Sequence, residues 1–426
     1  AYILIYLAIV LLIGIPVMLS ELTIGRAAQA NAVDSFEKLR HPGFKWVGWI
    51  GVIVAFIITS YYAHVGGWVL RYVAGYATES GKIYADPLGY FYGLLGYNAA
   101  TGETWFPLTA IIFGAIFMAA TCYIIIKGVE DGIERFNKFG MPALFIILII
   151  LLVRALTMPG AAEGLSYMLI PDWSKVTFST VLSALGQAFF SLSLGMSIMI
   201  TYGSYLKKEE NLTKNTVIIC GMDTLVALIA GFIIVPAVFA TLGAEGVGKG
   251  AGFAFSSLAG VFQQMPGGQI FGILFYLLLL FAALTSCISL LEGVVAFVTE
   301  RFGWKRTATT VILGIIMFII GCVYTCSQAA FDIKGIWFDF KNGFTTPIFG
   351  DFMEFLTDRL LIPISALGAC LFVGWAWKPQ NAIREIEMDG KPFGLKGAYS
   401  FLVKYLAPIS IIVIIVASFA TGTTLS

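Results

Sequence analysis

Apolar runs long enough to cross a bilayer, separated by short polar connections, fill the chain from end to end. Ten such runs stand out, at about residues 1–25, 46–74, 107–127, 138–157, 177–206, 215–241, 269–300, 308–325, 353–376 and 399–421. A hydrocarbon core takes roughly 20 helical residues. Several runs exceed that length, which implies tilt or extension past the bilayer. In lipid, backbone polar groups are satisfied only within helices or closed barrels, and alternating ten-residue strands are absent. The pattern therefore predicts an all-α polytopic membrane protein, organised as a single transmembrane unit over residues 1–426. Two connections are long. Residues 75–106 are rich in Gly, Tyr and Asn. Residues 242–268 carry Gly246-Val247-Gly248-Lys249-Gly250 and then a short apolar stretch, Phe253 to Phe262. That stretch cannot span, so a surface helical hairpin dipping toward the outer vestibule is expected there.

Composition agrees with this pattern. The chain is 59% hydrophobic and 12% charged, about half the charged fraction of soluble domains. A net charge of +1 gives no reason to expect a nucleic-acid partner. Basic residues set the orientation. When alternate connections are assigned to the same side, all but eight of the 26 Lys and Arg fall together, the eight being Arg71, Lys82, Arg154, Lys175, Lys249, Lys334, Lys341 and Arg359. The basic side is the cytoplasm, so the chain starts outside and enters inward. The six cysteines lie in or beside apolar runs without a CxxC pair and read as small buried hydrophobes. Two histidines, His41 and His64, are too few for a histidine-based metal centre. The chain opens Ala1-Tyr2-Ile3 inside an apolar run, so an earlier span is expected to precede it.

The chemical signal lies in polar residues placed inside apolar runs. Ser191, Ser193, Gly195 and Ser197 follow one another at two-residue steps. Glycine is costly in a helix, and serine hydroxyls compete for its backbone bonds. A break between two half-helices is one reading; half-helix ends would then face a substrate charge, and freed carbonyls a cation. Close packing of small residues against a neighbouring helix is the other. A second cluster is Thr285-Ser286-Cys287-Ile288-Ser289, where Ala282, Thr285 and Ser286 share a face and offer hard oxygen donors to Na⁺. Interhelical hydrogen bonding is the competing reading. The third signal is Asp223, about 13 Å deeper than Lys214 by helical rise. A carboxylate at midplane costs roughly 2.5–3.5 kcal/mol. A bound cation would offset that, unless Asp223 is instead an acid at a helix end near the cytoplasmic face. Glu21, just before Gly25-Arg26, reads as a structural ion pair near the membrane face, and Glu300, next to Arg301, reads as interfacial.

At these residues the sequence resembles the neurotransmitter:sodium symporter family, in its bacterial amino-acid branch. The likeness runs in order through Gly14-Ile15-Pro16-Val17-Met18 with Glu21 and Gly25-Arg26, Ser60-Tyr61-Tyr62 to Gly67-Trp68, Lys127-Gly128 to Gly132-Ile133-Glu134-Arg135-Phe136 with Met141-Pro142, Gln187 to Tyr205, and Phe281 to Glu292. The resemblance implies two inverted five-helix repeats with a discontinuous sixth helix. The ten visible spans would be the family's second to eleventh helices, or eleven spans with the first restored. It implies a substrate site in which Tyr62 meets the carboxylate, Ile58 lies one turn before it, Phe190 is the lid, and Ser191, Ser193, Met196, Ser286 and Leu290 complete the wall. It implies two sodium sites, one with Ser191 and Asp223, the other with the Ala282 carbonyl, Thr285 and Ser286. Glu354 matches the outer gate acid, and Tyr205 and Glu300 match inner-gate residues. Gly132 and Pro142 have the spacing linked to unwinding of the fifth helix. The preceding helix would supply backbone to substrate and sodium and an arginine to the gate, so the 426 residues alone are not expected to transport.

Departures from the family pattern sharpen the expectation. An aspartate stands at position 223, where the usual residue is an amide. Ala227 stands where chloride-dependent members place a hydroxyl, although Tyr6 and Gln187 match other chloride-site positions. A fixed carboxylate would replace chloride, so chloride independence is expected. The apolar wall of Ile58, Phe190, Met196 and Leu290 implies large neutral or aromatic L-amino acids, imported with sodium by alternating access. The resemblance also implies a multi-pass protein of a bacterial inner membrane, and a monomer or weak homo-oligomer in contact with lipid is expected. Two rival classes fit less well. A channel needs a repeated polar ring, which is not visible. An enzyme needs a nucleophile–base pair or metal ligands, yet His41 lies in a loop and His64 has no acidic neighbour.

Overall fold

The computed structural model describes residues 1–243, 253–339 and 343–421. Nine helices among the described residues are long and apolar enough to cross a membrane: α1 Tyr2–Ala28, α2 Pro42–Thr78, α3 Leu108–Ile126, α4 Val129–Leu156, α7 Leu212–Leu242, α8 Gly268–Phe302, α9 Arg306–Gln328, α10 Phe349–Ala376 and α11 Lys396–Ala420. The run at 177–206 forms two short helices, α5 Phe178–Ser191 and α6 Ile198–Tyr205. Most helices extend past their apolar runs by about a turn. Asn211 caps α7 through its side-chain oxygen, which accepts from the Lys214 amide at 2.6 Å. The largest extension is in α4, whose first turns, Val129–Glu134, are polar and π-helical.

The centre of the bundle is α2, which packs against α3, α8, α9 and α10. Its buried face includes Ile58, Tyr61, Trp68, Tyr72 and Tyr76. His64 lies on that face with both ring nitrogens engaged, Nε2 with the Phe318 carbonyl at 3.1 Å and Nδ1 with Thr325 Oγ1 at 2.9 Å. It is a satisfied packing residue. The second tight pairing is α1 against α6. A Cβ on Gly203 would lie 2.5 Å from the Leu22 carbonyl oxygen, and one on Gly25 would overlap the Ile200 carbonyl. Only glycine permits a crossing this close.

The outer connections are built rather than loose. After α2, two short helices, Ser80–Ala85 and Pro87–Leu94, fold over the bundle. Glu79 anchors them: it pairs with Arg71 and accepts from Tyr90 Oη at 2.9 Å and Lys82 Nζ at 3.0 Å. The Arg71 guanidinium leads the interactions that hold the Glu79 carboxyl down to about 2. A depressed carboxyl contributes stability above its unfolded value of about 4.3 and loses it as pH falls through the folded one. Glu79→Gln is therefore expected to lower the melting temperature by a roughly constant amount from pH 7 to pH 5, with the gap to wild type closing between about pH 4 and pH 2. A gap that widened on acidification would contradict this assignment.

The Gly246–Gly250 part of the expected hairpin lies outside the described residues. Its second half is helical, with a π turn at Phe253–Ser257 and a helix at Leu258–Gln264. It is inserted more deeply than a surface hairpin: Phe255 stacks on Phe91 at 5.1 Å, and Tyr276 Oη donates to the Ala254 carbonyl at 2.7 Å. A small ribbon before α10 pairs Trp337 with Thr345 and Phe338 with Phe344.

On the cytoplasmic side, Arg26 at the end of α1 is fully buried. Its guanidinium bonds the Glu385 carboxylate and carbonyl and the Glu210 carbonyl, and Lys208 Nζ reaches the same carboxylate at 2.8 Å. This joins α1, the connection after α6 and the connection after α10. Glu21 takes no part in it. The expected ion pair near the membrane face is incorrect: one turn deeper than Arg26, Glu21 is buried and bonded elsewhere.

Candidate functional site

The site starts at the interruption between α5 and α6. Ser193, Gly195 and Ser197 have φ of 54°, 73° and 62°, left-handed conformations that end one helix and restart the next. Two of the three are non-glycine, a costly arrangement that persists only where surroundings enforce it. Three neighbours do so. Glu21 Oε1 on α1 accepts from the Gly195 amide at 2.8 Å. A Cβ on Gly195 would lie 2.5 Å from the Ile362 carbonyl oxygen of α10, and a Cβ on Gly51 of α2 would lie 2.8 Å from the Ser197 nitrogen. The break is wedged between three helices, and small-residue packing and interruption operate together here.

Beside it lies a cavity of about 560 Å³. The residues expected in the substrate wall, Ile58, Tyr62, Phe190, Ser191, Ser193, Met196, Ser286 and Leu290, all line it, as do Asp223 and Thr285. Ser191 Oγ donates to Asp223 Oδ2 at 2.6 Å, so this carboxylate turns inward to the break and away from the cytoplasmic face. The Ala282 carbonyl accepts from Thr285 Oγ1 at 2.9 Å, which puts two of the expected second-site oxygens together. On α1 the Tyr6 hydroxyl is buried, as is Thr224 Oγ1. Sequence reasoning missed Met18, Asn137, Met141, Tyr202 and Ser289 in the lining. Tyr202 Oη donates to Ser289 Oγ at 3.0 Å; the i,i+4 relation of Ser289 to Thr285 was the available signal.

A second cavity of about 380 Å³ shares Tyr62, Gln187 and Phe190 with the first. Phe190, 40% exposed, stands as a partition between them. This outer cavity holds Glu354, which accepts from Tyr324 Oη at 3.0 Å, with Tyr61 stacked on Tyr324 at 5.2 Å.

At the cytoplasmic end the two residues that match the inner gate, Tyr205 and Glu300, have separate partners. Tyr205 does not pair with Glu300. Its hydroxyl donates to Glu292 Oε1 at 2.6 Å, and Glu292, 0% exposed, is clamped by Arg306 with Nη2–Oε2 at 2.5 Å and Nη1–Oε1 at 3.1 Å. Arg306 Nε also donates to the Ile125 carbonyl at 2.8 Å, tying α9 to α3. Glu300 instead holds the connection after α1, accepting from the Asn31 amide at 2.7 Å, while its neighbour Arg301 pairs with Asp34 at 2.8 Å. Gly132 sits in the π-helical start of α4 and Pro142 inside the same helix, which continues unbroken between them in this conformation.

Comparison with known proteins places this geometry. The model of the sodium:neurotransmitter symporter family matches residues 1–80 and 98–425. The sodium-dependent transporter YhdH of Bacillus subtilis (strain 168) is 34% identical over 97% of this chain and 88% of its own. A sodium-dependent transporter of Haemophilus influenzae is 35% identical over 98% of this chain and 90% of its own. Among solved structures, that of MhsT in complex with L-phenylalanine superposes with a TM-score of 0.86 at 37% identity, covering 98% of this chain and 91% of MhsT.

Proposed function

Because the chain belongs to the sodium:neurotransmitter symporter family, a family of multi-pass sodium-coupled transporters, we propose that its cargo is a large neutral or aromatic L-amino acid, carried inward with two Na⁺ and without chloride. The observation that carries this reading is the Ser191–Asp223 pair at a helix break, set into a cavity whose remaining wall is Ile58, Phe190, Met196 and Leu290. The N-terminal end of α6 favours a carboxylate, and Tyr62 offers it a hydroxyl. The apolar wall takes the side chain, and flexible Met196 adapts to varied shapes. The MhsT complex with L-phenylalanine supports a substrate of this class.

Sodium supplies the driving force. Each Na⁺ crossing 100 mV releases about 2.3 kcal/mol, so two ions give roughly 4.6 kcal/mol, somewhat over three powers of ten in accumulation. The first ion sits with Ser191 and Asp223; the second sits with the Ala282 carbonyl, Thr285 and Ser286. The Asp223 carboxylate stands in for chloride beside Tyr6 and Gln187. Phe190 closes the outer path over Tyr62, with Glu354 beyond it. The inner path opens when Tyr205 and Arg306 release Glu292 and α4 loosens between Gly132 and Pro142.

A competition panel of the twenty amino acids against labelled phenylalanine, in proteoliposomes with an inwardly directed sodium gradient, tests the substrate class. Leucine, isoleucine, methionine and the aromatic acids are expected to compete, and charged acids are not. Strong competition by lysine or glutamate would replace this reading. In the same assay, gluconate in place of chloride is expected to leave uptake within about twofold; a large loss would defeat chloride independence.

A further inference from the structure

The cytoplasmic end of α10 and the start of α11 carry positive charge that the described residues do not neutralise. Between Ala376 and Leu406 the sequence has Lys378, Arg384, Lys391, Lys396 and Lys404 against Glu385, Glu387 and Asp389. All three acids are already engaged. Glu385 holds Arg26 and Lys208, Glu387 holds Lys396 at 2.8 Å, and Asp389 accepts from Asn211. Among the described ion pairs, none includes Lys404 or Lys378.

Lys404 is set on the lipid-facing side of the bundle by a close helix crossing. A Cβ on Gly374 would lie 3.1 Å from the Lys404 Cα, so α10 and α11 touch backbone to backbone there. Trp375 Nε1 donates to the Lys404 carbonyl at 3.2 Å, and the Lys404 ammonium lies 4.5 Å from the centre of the Trp375 ring and 5.4 Å from that of Tyr405. Trp375, Phe401 and Tyr405 are 53%, 57% and 42% exposed. By helical rise Lys404 is about 12 Å along α11 from Lys396, yet its ammonium folds back to the level of Trp375, at the last turn of α10. This places an ammonium at headgroup depth, between two aromatic rings, with Lys378 three residues beyond Trp375.

We propose that this cleft between α10 and α11 binds an anionic glycerophospholipid of the cytoplasmic leaflet. Its phosphate would sit against Lys404 and Lys378, and its acyl chains along Trp375, Phe401 and Tyr405. The charge excess selects an acidic headgroup, and the aromatic pair holds the ammonium where a phosphate is within reach. The rings alone satisfy only part of the ammonium's hydrogen-bonding capacity, since cation–π contact leaves its three donors unpaired.

The test is native mass spectrometry of the purified full chain released from nanodiscs of equal phosphatidylglycerol and phosphatidylcholine with matched acyl chains. The wild type is expected to retain phosphatidylglycerol preferentially. Lys404→Gln is expected to reduce that preference about fivefold, while Lys404→Arg keeps it. Equal retention of the two lipids by the wild type, or an unchanged ratio in Lys404→Gln, would overturn the proposal. Should Lys404→Gln fail to fold, fluorescence quenching by dibrominated phosphatidylglycerol decides, with Trp375→Phe as the variant. Removing Trp375 is expected to remove a distinct share of the quenching that dibrominated phosphatidylcholine does not produce, and an identical response to both lipids would overturn it.

Discussion

Alanine at position 223 is expected to abolish sodium-driven uptake in a protein that still folds. Asp223 sits inside α7 and its only described hydrogen bond comes from Ser191. Removing it deletes the one formal charge in the inner cavity lining. A carboxylate about 4 Å from a cation contributes on the order of 4 kcal/mol at an effective dielectric of 20, which is close to three powers of ten in sodium affinity. The half-saturating sodium concentration should therefore rise beyond any usable range. Asp223→Asn keeps one oxygen ligand but loses the charge, so it should show weaker sodium dependence and acquire stimulation by chloride. The measurement is uptake against sodium concentration, in chloride and in gluconate, with melting temperature as the folding control. Transport by the Asp223→Ala protein within twofold of wild type would remove Asp223 from the sodium site.

The second large effect is expected at Gly195. Its φ of 73° suits glycine, and the added methyl of Gly195→Ala would meet the Ile362 carbonyl oxygen at 2.5 Å. Both penalties fall on one residue, and overpacking alone typically costs 1–3 kcal/mol. The expected result is loss of uptake with a lowered melting temperature. Its hydrogen-bond partner separates geometry from simple bulk. Glu21→Gln keeps an oxygen acceptor for the Gly195 amide and should retain a substantial part of the activity. Glu21→Ala leaves that amide buried and unpaired, a cost of about 1–3 kcal/mol, and should behave like Gly195→Ala. Equal, mild effects of all three substitutions would mean that the interruption is not held by this contact.

Much of this arrangement was legible in the sequence, and the exceptions share a cause. The spacing of Ser191, Ser193, Gly195 and Ser197 offered the interruption as one of two readings, beside close helix packing, because glycine and serine weaken a helix locally while small residues also suit a tight crossing. The apolar runs located the spans through an equally local signal. Glu21 was misread because its partner is 174 residues away, while its sequence neighbours, Gly25 and Arg26, suggested a surface role. Glu292 was missed although it is only 14 residues from Arg306. The turn after Phe302 brings α9 back alongside α8, and an acid in one helix is then opposite the first basic residue of the next. The polar start of α4 was read as a loop because hydropathy reports contact with lipid, while helix formation continues through Glu130, Asp131 and Glu134 in water.

The glycine-to-backbone crossing of α1 and α6 has a mechanical consequence. Elements touching main chain to main chain have no side-chain cushion to absorb relative sliding, so they translate together. Arg26 grips the cytoplasmic connections at one end of this pair, and Ser197 starts the second half-helix at the other. A push delivered to those connections therefore arrives undamped at the helix break, which makes the pair a stiff pushrod from the cytoplasmic face to the cavity.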